Sequence, residues 1–417
     1  MQAIILAAGE STRTHPLTLT KPKPLLRIAN KTIIEHTLEQ LKGLVDEVIM
    51  IVGFMKEQVM KFLGEEFLGI KIKYVEQKER LGTGHAILQA KSLVKNKFFI
   101  LPGDDFFMNE DLKKMVIHDY AVLCKEVDNP QAFGIMELDK EGKIKDIIEK
   151  PEHPNSNFAN TGCWVLEKDA INYFEKITKS PRGEYEATDV IKMLADEEKK
   201  IEVVASKHWM PIGYPWHILN ANEYLMKLMF EKINKNIIAE NSLIEENVVI
   251  EGNVMIGKNT IVKAGTYIEG PVIIGDDCVI GPQAHLRPFT SIGNGCRIGK
   301  SELVDVVLGD RVTSKHNSYL GHSVIGDDVN IGAGTITADY RHDGKNHITL
   351  IKGKKIDTHR RKLGSFIGDN ANTGIGTLIY PGRKIYPNLS TYPGEILKKD
   401  LEVCQLESKE KTITRGE

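Results

Sequence analysis

The sequence predicts two folds in one chain: an α/β domain built on a parallel sheet over residues 1–232, then a parallel β-solenoid over 233–402, with a polar tail at 403–417. Three observations predict this. The 417 residues exceed what one ordinary domain holds. The first half alternates short β-rich runs with amphipathic stretches, and the second half repeats an apolar residue every six positions.

In the first half, residues 3–7, 47–52, 70–75 and 98–101 read as strands, while 33–44, 56–63 and 83–94 place apolar residues at helical spacing. Strand and helix in turn mean βαβ units and a Rossmann-like sheet, with ligands held by loops at the strand carboxyl ends. Residues 217–232 carry Ile218, Leu219, Leu225, Met226, Leu228 and Met229 and read as a helix joining the two domains.

Stepping by six from Ile238 meets Ile244, Ile250, Ile256, Val262, Ile268, Ile274, Ile280, Leu286, Ile292, Ile298 and Val304. Neither a helix nor an ordinary strand has that period; it marks a solenoid whose apolar residues point inward, three repeats closing one triangular coil. Glycines such as Gly257, Gly275 and Gly293 follow the inward residue and allow a tight corner. Cys278 and Cys296 lie 18 residues apart and are expected to stack as small core residues rather than as a disulfide. The repeat slips after Val304, resumes at Leu308, Ser314 and Leu320 and again at Ile325 and Ile331. A polar, basic insertion near 338–362 interrupts it before Ile367. Such breaks are loops thrown out from one face, often the binding face. Residues 408–417 are expected to fray.

Lys plus Arg (55) and Asp plus Glu (57) nearly cancel, so no global field recruits nucleic acid or an anionic membrane, and any phosphate site is local. The five cysteines, Cys124, Cys163, Cys278, Cys296 and Cys404, form no CxxC pair and leave an odd one over, which suits reduced thiols in the cytoplasm. The apolar start at 4–8 lacks a preceding basic region and meets Gly9 too early for a signal peptide or a membrane span.

Directly after the first strand stands LAAGESTRTHPLTLTKPKPL, residues 6–25. A glycine turn at a strand end lets backbone N–H groups approach phosphate oxygens, while Arg13 and Lys23 supply charge where phosphoryl chemistry moves it. Pro22 and Pro24 bracket Lys23 and stiffen its backbone. A glycine loop alone is commonly an ordinary βα turn; the added arginine and bracketed lysine make the pattern specific. There follow, in order, Gln77, LGTGHA (81–86), GDD (103–105), FGI (133–135), EKP (149–151), NTG (160–162), EYEATD (184–189) and GYPW (213–216).

This series resembles the sugar-1-phosphate nucleotidylyltransferases over the whole first domain. The resemblance implies in-line attack of a sugar phosphate on a nucleotide α-phosphorus, with Lys23 and Arg13 stabilising the α-phosphate and the leaving pyrophosphate. It implies further that Leu6, Ala8, Gly9, Gln77, Gly82 and Thr83 bind the nucleotide, that Gly134, Glu149, Asn160 and Thr188 hold the sugar, and that Asp104 holds Mg²⁺. Two positions depart from the family pattern. Ser11 replaces a second loop glycine, and Pro211 stands where a second carboxylate to the metal is expected. Asp105 and His217 are the residues that could compensate, although imidazole is a poor magnesium ligand.

The solenoid carries LRP at 286–288 and SKHNSYLGHSVIGDDVNIGAGTITADY at 314–340. A lone histidine in a solenoid turn is usually packing, yet His316 with Tyr319, and Asn330 one coil on, could deprotonate an amine and stabilise an oxyanion. The string resembles the acetyltransferase half of the bifunctional uridylyltransferase/N-acetyltransferases in their archaeal form, whose solenoid is a left-handed parallel β-helix of hexapeptide repeats. That resemblance implies UTP and acetyl-CoA as co-substrates, His316 as general base, and Tyr319, Asn330 and Asp339 around the sugar. Arg287 and Lys345 would bind its phosphate, and a homotrimer would close the site between subunits. Val304 and Asp339 depart from the bacterial pattern of lysine and asparagine; a carboxylate at 339 accepts hydrogen bonds and does not donate. The basic run Lys352, Lys354, Lys355, Arg360, Arg361 and Lys362 reads equally as a CoA phosphate site or as solvated charge.

Three other readings stay open. A glucose-1-phosphate thymidylyl- or uridylyltransferase could carry a vestigial solenoid. A non-catalytic paralogue could bind nucleotide sugars, as Pro211 and Asp339 would suit. The solenoid histidines His285, His316 and His322 could instead be zinc ligands between subunits.

Overall fold

The chain was analysed as a computed structural model that describes residues 1–233, 235–404 and 412–414. By internal contacts it divides into two units. One comprises Met1–Glu10, Pro22–Leu25 and Ile33–Pro211; the other comprises Ser11–Lys21, Leu26–Thr32 and Ile212–Glu417. The division falls at Pro211 and Ile212 rather than at residue 232, and the helix Pro215–Lys232 groups with the second unit.

In the first unit, the strands Gln2–Ala7, Glu47–Val52, Ile70–Glu76 and Phe98–Pro102 lie parallel, the first flanked by the second and the fourth. Because the order reverses at Gln2–Ala7, the crevice beyond its carboxyl end is the natural ligand position. Antiparallel strands Phe158–Leu166, Gly134–Leu138 and Ile144–Glu149 extend one side, so the 10-stranded sheet is mixed and the expected parallel sheet is its centre. Side chains alternate between two cores: Ala3, Ile5 and Ala7 face Leu38, Phe99 and Leu101, while Ile4 and Ala8 face Ile100 and Trp164. Burial on both faces is why these strands read as continuous apolar runs. The helix Lys56–Leu63 lies where periodicity placed it; the one predicted over 33–44 ends at Leu41, and the third stops at Leu88, followed by a tighter turn at Lys91–Leu93.

In the second unit, short strands stack in parallel register through Ile238, Ile256, Ile274, Ile292, Leu308, Ile325, Ile367 and Ile385. The second column runs Ile244, Val262, Ile280, Ile298 and Ser314, and the third Ile250, Ile268, Leu286, Leu303 and Leu320. Each inward Ile or Leu that is fully covered contributes about 1.5–3 kcal/mol. Two inward assignments need correction. Ile238 is 46% exposed because it lies in the first coil and no coil covers it. Leu303, not Val304, is the core residue, since the coils there shorten from 18 residues to 16 and 17 and the register moves back by one.

Glycine at the corners is a matter of space: a Cβ on Gly293 would stand 2.3 Å from the Gly309 carbonyl oxygen of the next coil. Beside these corners runs a ladder in which Asp276, Asn294, Asp310, Asp327 and Asp369 each accept, through Oδ1, a backbone N–H from the preceding coil at 2.7–2.9 Å. The step from Asp327 to Asp369 spans 42 residues and contains the predicted insertion, which holds the hairpin Ile348–Ile351 and Lys354–Asp357. Cys278 and Cys296 are buried free thiols in the core. At the tail, Glu402–Cys404 pairs antiparallel with Thr412–Thr414, so the expected fraying does not extend to those residues; 405–411 and 415–417 lie outside the described residues.

Candidate active sites

The first site is built at the carboxyl ends of the parallel strands. Ala8 and Gly9 follow Gln2–Ala7, Gln77 follows Ile70–Glu76, and Asp104 follows Phe98–Pro102. No atom comes within 4 Å of a Cβ placed on Gly9, so the loop backbone there is open. Lys23, in the short turn Lys23–Leu25, is only 5% exposed, and its Nζ donates to Asp104 Oδ2 at 2.6 Å. A buried ammonium facing one half-exposed carboxylate is a cation ready for an anionic ligand. The Gln77 backbone N–H donates to the Val52 carbonyl at 2.8 Å, and its Nε2 donates to the Gly82 carbonyl at 3.2 Å. Gly82 has φ +114° and a Cβ there would lie 2.6 Å from the Tyr185 carbonyl oxygen, so conformation and space both demand glycine. Thr83 Oγ1 accepts the Ala187 N–H at 3.1 Å. Ser11 takes the left-handed conformation, φ +54°, that a second loop glycine would adopt freely.

Gly134, Glu149, Asn160 and Thr188, predicted from four separate motifs, converge. A Cβ on Gly134 would stand 2.7 Å from Glu149 Oε2, 3.7 Å from Thr188 Cγ2 and 3.8 Å from Asn160 Nδ2. Asn160 Oδ1 accepts from Trp164 Nε1 (2.8 Å) and the Gly162 N–H (3.0 Å), which fixes the amide.

Asp104 is a lone carboxylate for a metal. The Asp105 side chain is 9% exposed and accepts from Trp209 Nε1 at 3.0 Å, so the neighbouring acid is committed to packing. Pro211 pairs with Asp105 in a two-stranded ladder. His217 Nδ1 accepts the Gly213 N–H at 3.1 Å, the role of a helix-start residue. Among the described residues no group of three or more His, Cys, Asp or Glu could hold a metal ion.

The solenoid site is assembled in part. Arg287 Nη1 donates to Glu302 Oε1 at 2.9 Å, Glu302 aligns with Tyr319 in the next coil, and the Tyr319 hydroxyl donates to Asp339 Oδ2 at 2.8 Å. Burial, then Asp339, push the Tyr319 phenol above its ordinary value, so it stays a donor. His316 is exposed on the strand Thr313–Gly321, aligned with Lys300; Asn330 is exposed and aligned with Thr313; Lys345 is exposed in the insertion. The side chains of those three form no hydrogen bond or ion pair among the described residues. In the basic run, Arg360 is a correction: its guanidinium pairs with Asp305 and Asn220 rather than facing solvent. His285 Nε2 lies 2.6 Å from Glu269 Oε1, and His322 is buried between Asp305 and Asp339.

Sequence reading missed two features of the second unit. Lys21 Nζ bridges Asp327 Oδ2 (2.5 Å) and Asp369 Oδ1 (3.1 Å), Thr20 Oγ1 donates to Asp369 Oδ2 (2.6 Å), and Arg27 Nη2 meets Asp310 Oδ2 (2.7 Å). Thr20, Lys21 and Arg27 are thereby tied to the aspartate ladder, pairings more than 280 residues apart in sequence. The other is Asp305, 4% exposed, a carboxylate the repeat pattern did not single out. The repeated Gly-Asp corner was the available signal for the first; none existed for the second.

A crevice with a buried lysine in one unit and a hexapeptide solenoid in the other define a two-domain nucleotidyl- and acyltransferase. Residues 2–227 match the nucleotidyl transferase family, and 237–270 and 271–300 match the bacterial transferase hexapeptide repeats. The chain is 41% identical over 403 residues to the bifunctional protein GlmU of Methanocaldococcus jannaschii, covering 96% of each chain. It is 39% identical over 408 residues to a bifunctional sugar-1-phosphate nucleotidylyltransferase/acetyltransferase of Sulfurisphaera tokodaii, covering 96% of this chain and 98% of that one. Over 225 residues, 52% of this chain and 92% of the relative, it is 34% identical to the UTP–glucose-1-phosphate uridylyltransferase AglF of Haloferax volcanii. The chain belongs to the family of bifunctional sugar-1-phosphate nucleotidylyltransferase/acetyltransferases, and its solenoid is a left-handed parallel β-helix.

Proposed function

We propose that this enzyme makes UDP-N-acetylglucosamine, acetylating glucosamine-1-phosphate with acetyl-CoA in the solenoid and transferring uridylyl from UTP to N-acetylglucosamine-1-phosphate in the first unit. The observation that carries the reading is the pairing of buried Lys23 with Asp104 at the switch point of the sheet, alongside likeness over nearly the whole chain. Lys23 neutralises charge that builds on the α-phosphate and pyrophosphate during in-line displacement, the role the resemblance also implies for Arg13, and positioning supplies the rest of the rate. Gln77, Gly82 and Thr83, with Leu6, Ala8 and Gly9, form the nucleotide side; Gly134, Glu149, Asn160 and Thr188 form the sugar side. The half-exposed Asp104 carboxylate fits a magnesium ion held by one protein ligand, water and substrate phosphates, as that ion prefers. When bound, Mg²⁺ supplies further charge neutralisation at the phosphates.

In the solenoid, His316 takes a proton from the amine nitrogen as that nitrogen attacks the acetyl carbonyl carbon; the C–S bond breaks, and the proton passes from His316 to the leaving thiolate, so CoA departs as the thiol. Tyr319, Asn330 and Asp339 orient the sugar, and Arg287 and Lys345 receive its phosphate. The unpartnered side chains of His316, Asn330 and Lys345 support a homotrimer in which a neighbouring copy completes the cleft. Reduced, buried thiols support the cytoplasm as its compartment, and among the described residues no helix is long and apolar enough to cross a membrane.

The test is a panel of glucosamine-, galactosamine- and glucose-1-phosphates with UTP, dTTP and acetyl-CoA, read by mass spectrometry. Acetylated amino sugar phosphate and a UDP-sugar are expected. Absence of both products refutes the reading, and preference for dTTP with glucose-1-phosphate replaces it with a thymidylyltransferase.

A further inference from the structure

Next to Tyr319 and Asp339 lies a buried polar pair, His322 and Asp305, that the acetyl-transfer scheme does not use. His322 is 8% exposed and Asp305 4% exposed. His322 Nδ1 lies 2.9 Å from Asp305 Oδ2, which also pairs with the Arg360 guanidinium from the end of the insertion. His322 Nε2 stands 3.4 Å from Asp339 Oδ2, and both His322 Nε2 and Asp305 Oδ1 are buried without a hydrogen-bond partner. Asp339 in turn receives the Tyr319 hydroxyl.

The backbone is shaped around this pair. His322 holds a left-handed φ of +49°, and a Cβ on Gly321 would lie 2.6 Å from the Tyr319 hydroxyl and 2.7 Å from Asp339 Oδ2. The insertion is tied down at the same place: the Leu363 N–H donates to the Asp339 carbonyl and the Gly364 N–H to the His322 carbonyl, both at 2.9 Å. Left-handed corners recur along the solenoid, at Asp305, Arg311, Asn317 and Asp328 among others, so what sets His322 apart is its buried imidazole, which costs free energy unless it is paired.

We infer that His322 is a positioning residue for acetyl transfer: it holds the Asp339 carboxylate so that the Tyr319 hydroxyl is donated to Asp339 and the Tyr319 oxygen faces the amino sugar as an acceptor. A phenol has one proton to donate. With that proton committed to Asp339, only lone pairs remain, and these suit an N–H of the acceptor amine. The inference rests on the acetyl-transfer reading above.

The experiment uses the full-length protein with acetyl-CoA and glucosamine-1-phosphate. His322→Gln should raise KM for the amino sugar phosphate about tenfold, the scale of the one misplaced hydrogen bond between the amine and the Tyr319 oxygen, while leaving KM for acetyl-CoA and the rate of uridylyl transfer unchanged. In an Asp339→Asn background, where no carboxylate needs holding, adding His322→Gln should cost less than about threefold, because the two side chains act through each other. Equal losses in both backgrounds, or a matching rise in both KM values, would mean that His322 is merely scaffold. Should His322→Gln fail to fold, Asp339→Asn alone carries the test: unchanged KM for the amino sugar phosphate overturns the inference. Turnover by the wild type with an unaffected His322→Gln overturns the positioning role only, whereas no acetyl transfer by the wild type overturns the acetyl-transfer reading with it.

Discussion

The two candidate sites differ in how much of each a single chain finishes. In the α/β unit, Lys23 is buried against Asp104, and Gly134, Glu149, Asn160 and Thr188 converge from four elements, all within one fold. In the solenoid, Arg287, Tyr319 and Asp339 are already engaged, while His316, Asn330 and Lys345 stand exposed. A sheet covered on both faces makes a crevice by itself; a convex solenoid face makes only a wall. The lesson is that a site in the first unit should respond to mutation chain by chain, whereas the proposed solenoid site should depend on assembly as well.

The largest effect expected is at His316. Removing a general base typically costs about 10²–10⁴-fold, so His316→Ala should all but abolish acetyl transfer and leave uridylyl transfer intact, the two activities resting on separate cores. Full acetyl transfer in that variant would remove His316 as the base. Lys23→Ala should come next, lowering uridylyl transfer by roughly 10²–10³-fold, about the cost of one lost charge-stabilising group, with acetyl transfer preserved. Equal damage to both rates would erase the contrast between the units.

A third test concerns stability. Burial pulls the Lys21 ammonium down, but Asp327 and Asp369 outweigh it and hold it above its ordinary value; Asp327, against its own burial, is held below the usual carboxylate range by Lys21. The lysine's contribution is therefore complete below its unfolded pKa and lost only at high pH, as pH rises through the raised folded value. The aspartate's contribution is present above about pH 4, the unfolded carboxylate value, and lost as pH falls through the depressed folded one. Lys21→Met strands two largely buried carboxylates and should cost about 3 kcal/mol. Its thermal midpoint should then rise on mild acidification relative to wild type. A variant as stable as wild type at every pH would show that the clamp is idle.

The smallest effect is at position 211. Pro211→Asp should lower the Mg²⁺ concentration needed for half-maximal uridylyl transfer, by up to about tenfold. An unchanged requirement would mean that Asp104 with substrate oxygens is already sufficient.

Much of this molecule was written along the chain. Short apolar runs and helical spacing located the central strands and helices because each face must meet a core, and the six-residue period located the coils because each coil stacks on a similar one. The family resemblance also singled out Gly134, Glu149, Asn160 and Thr188, each from a separate motif. Their convergence was not legible, since it depends on which strands pair. The same holds for the mixed sheet, for Leu303 displacing Val304 where coils shorten, and for Arg360 leaving the basic run to meet Asp305. Sequence by itself determined the two folds, because periodicity and local turn geometry are properties of neighbouring residues, and the roles proposed for the motif residues rest on the family resemblance. Only the tertiary structure decided which charges are paired: Lys21 with Asp327 and Asp369, Asp105 with Trp209, and His322 between Asp305 and Asp339. Those pairings span long stretches of chain, and their partners become neighbours only after the backbone has folded.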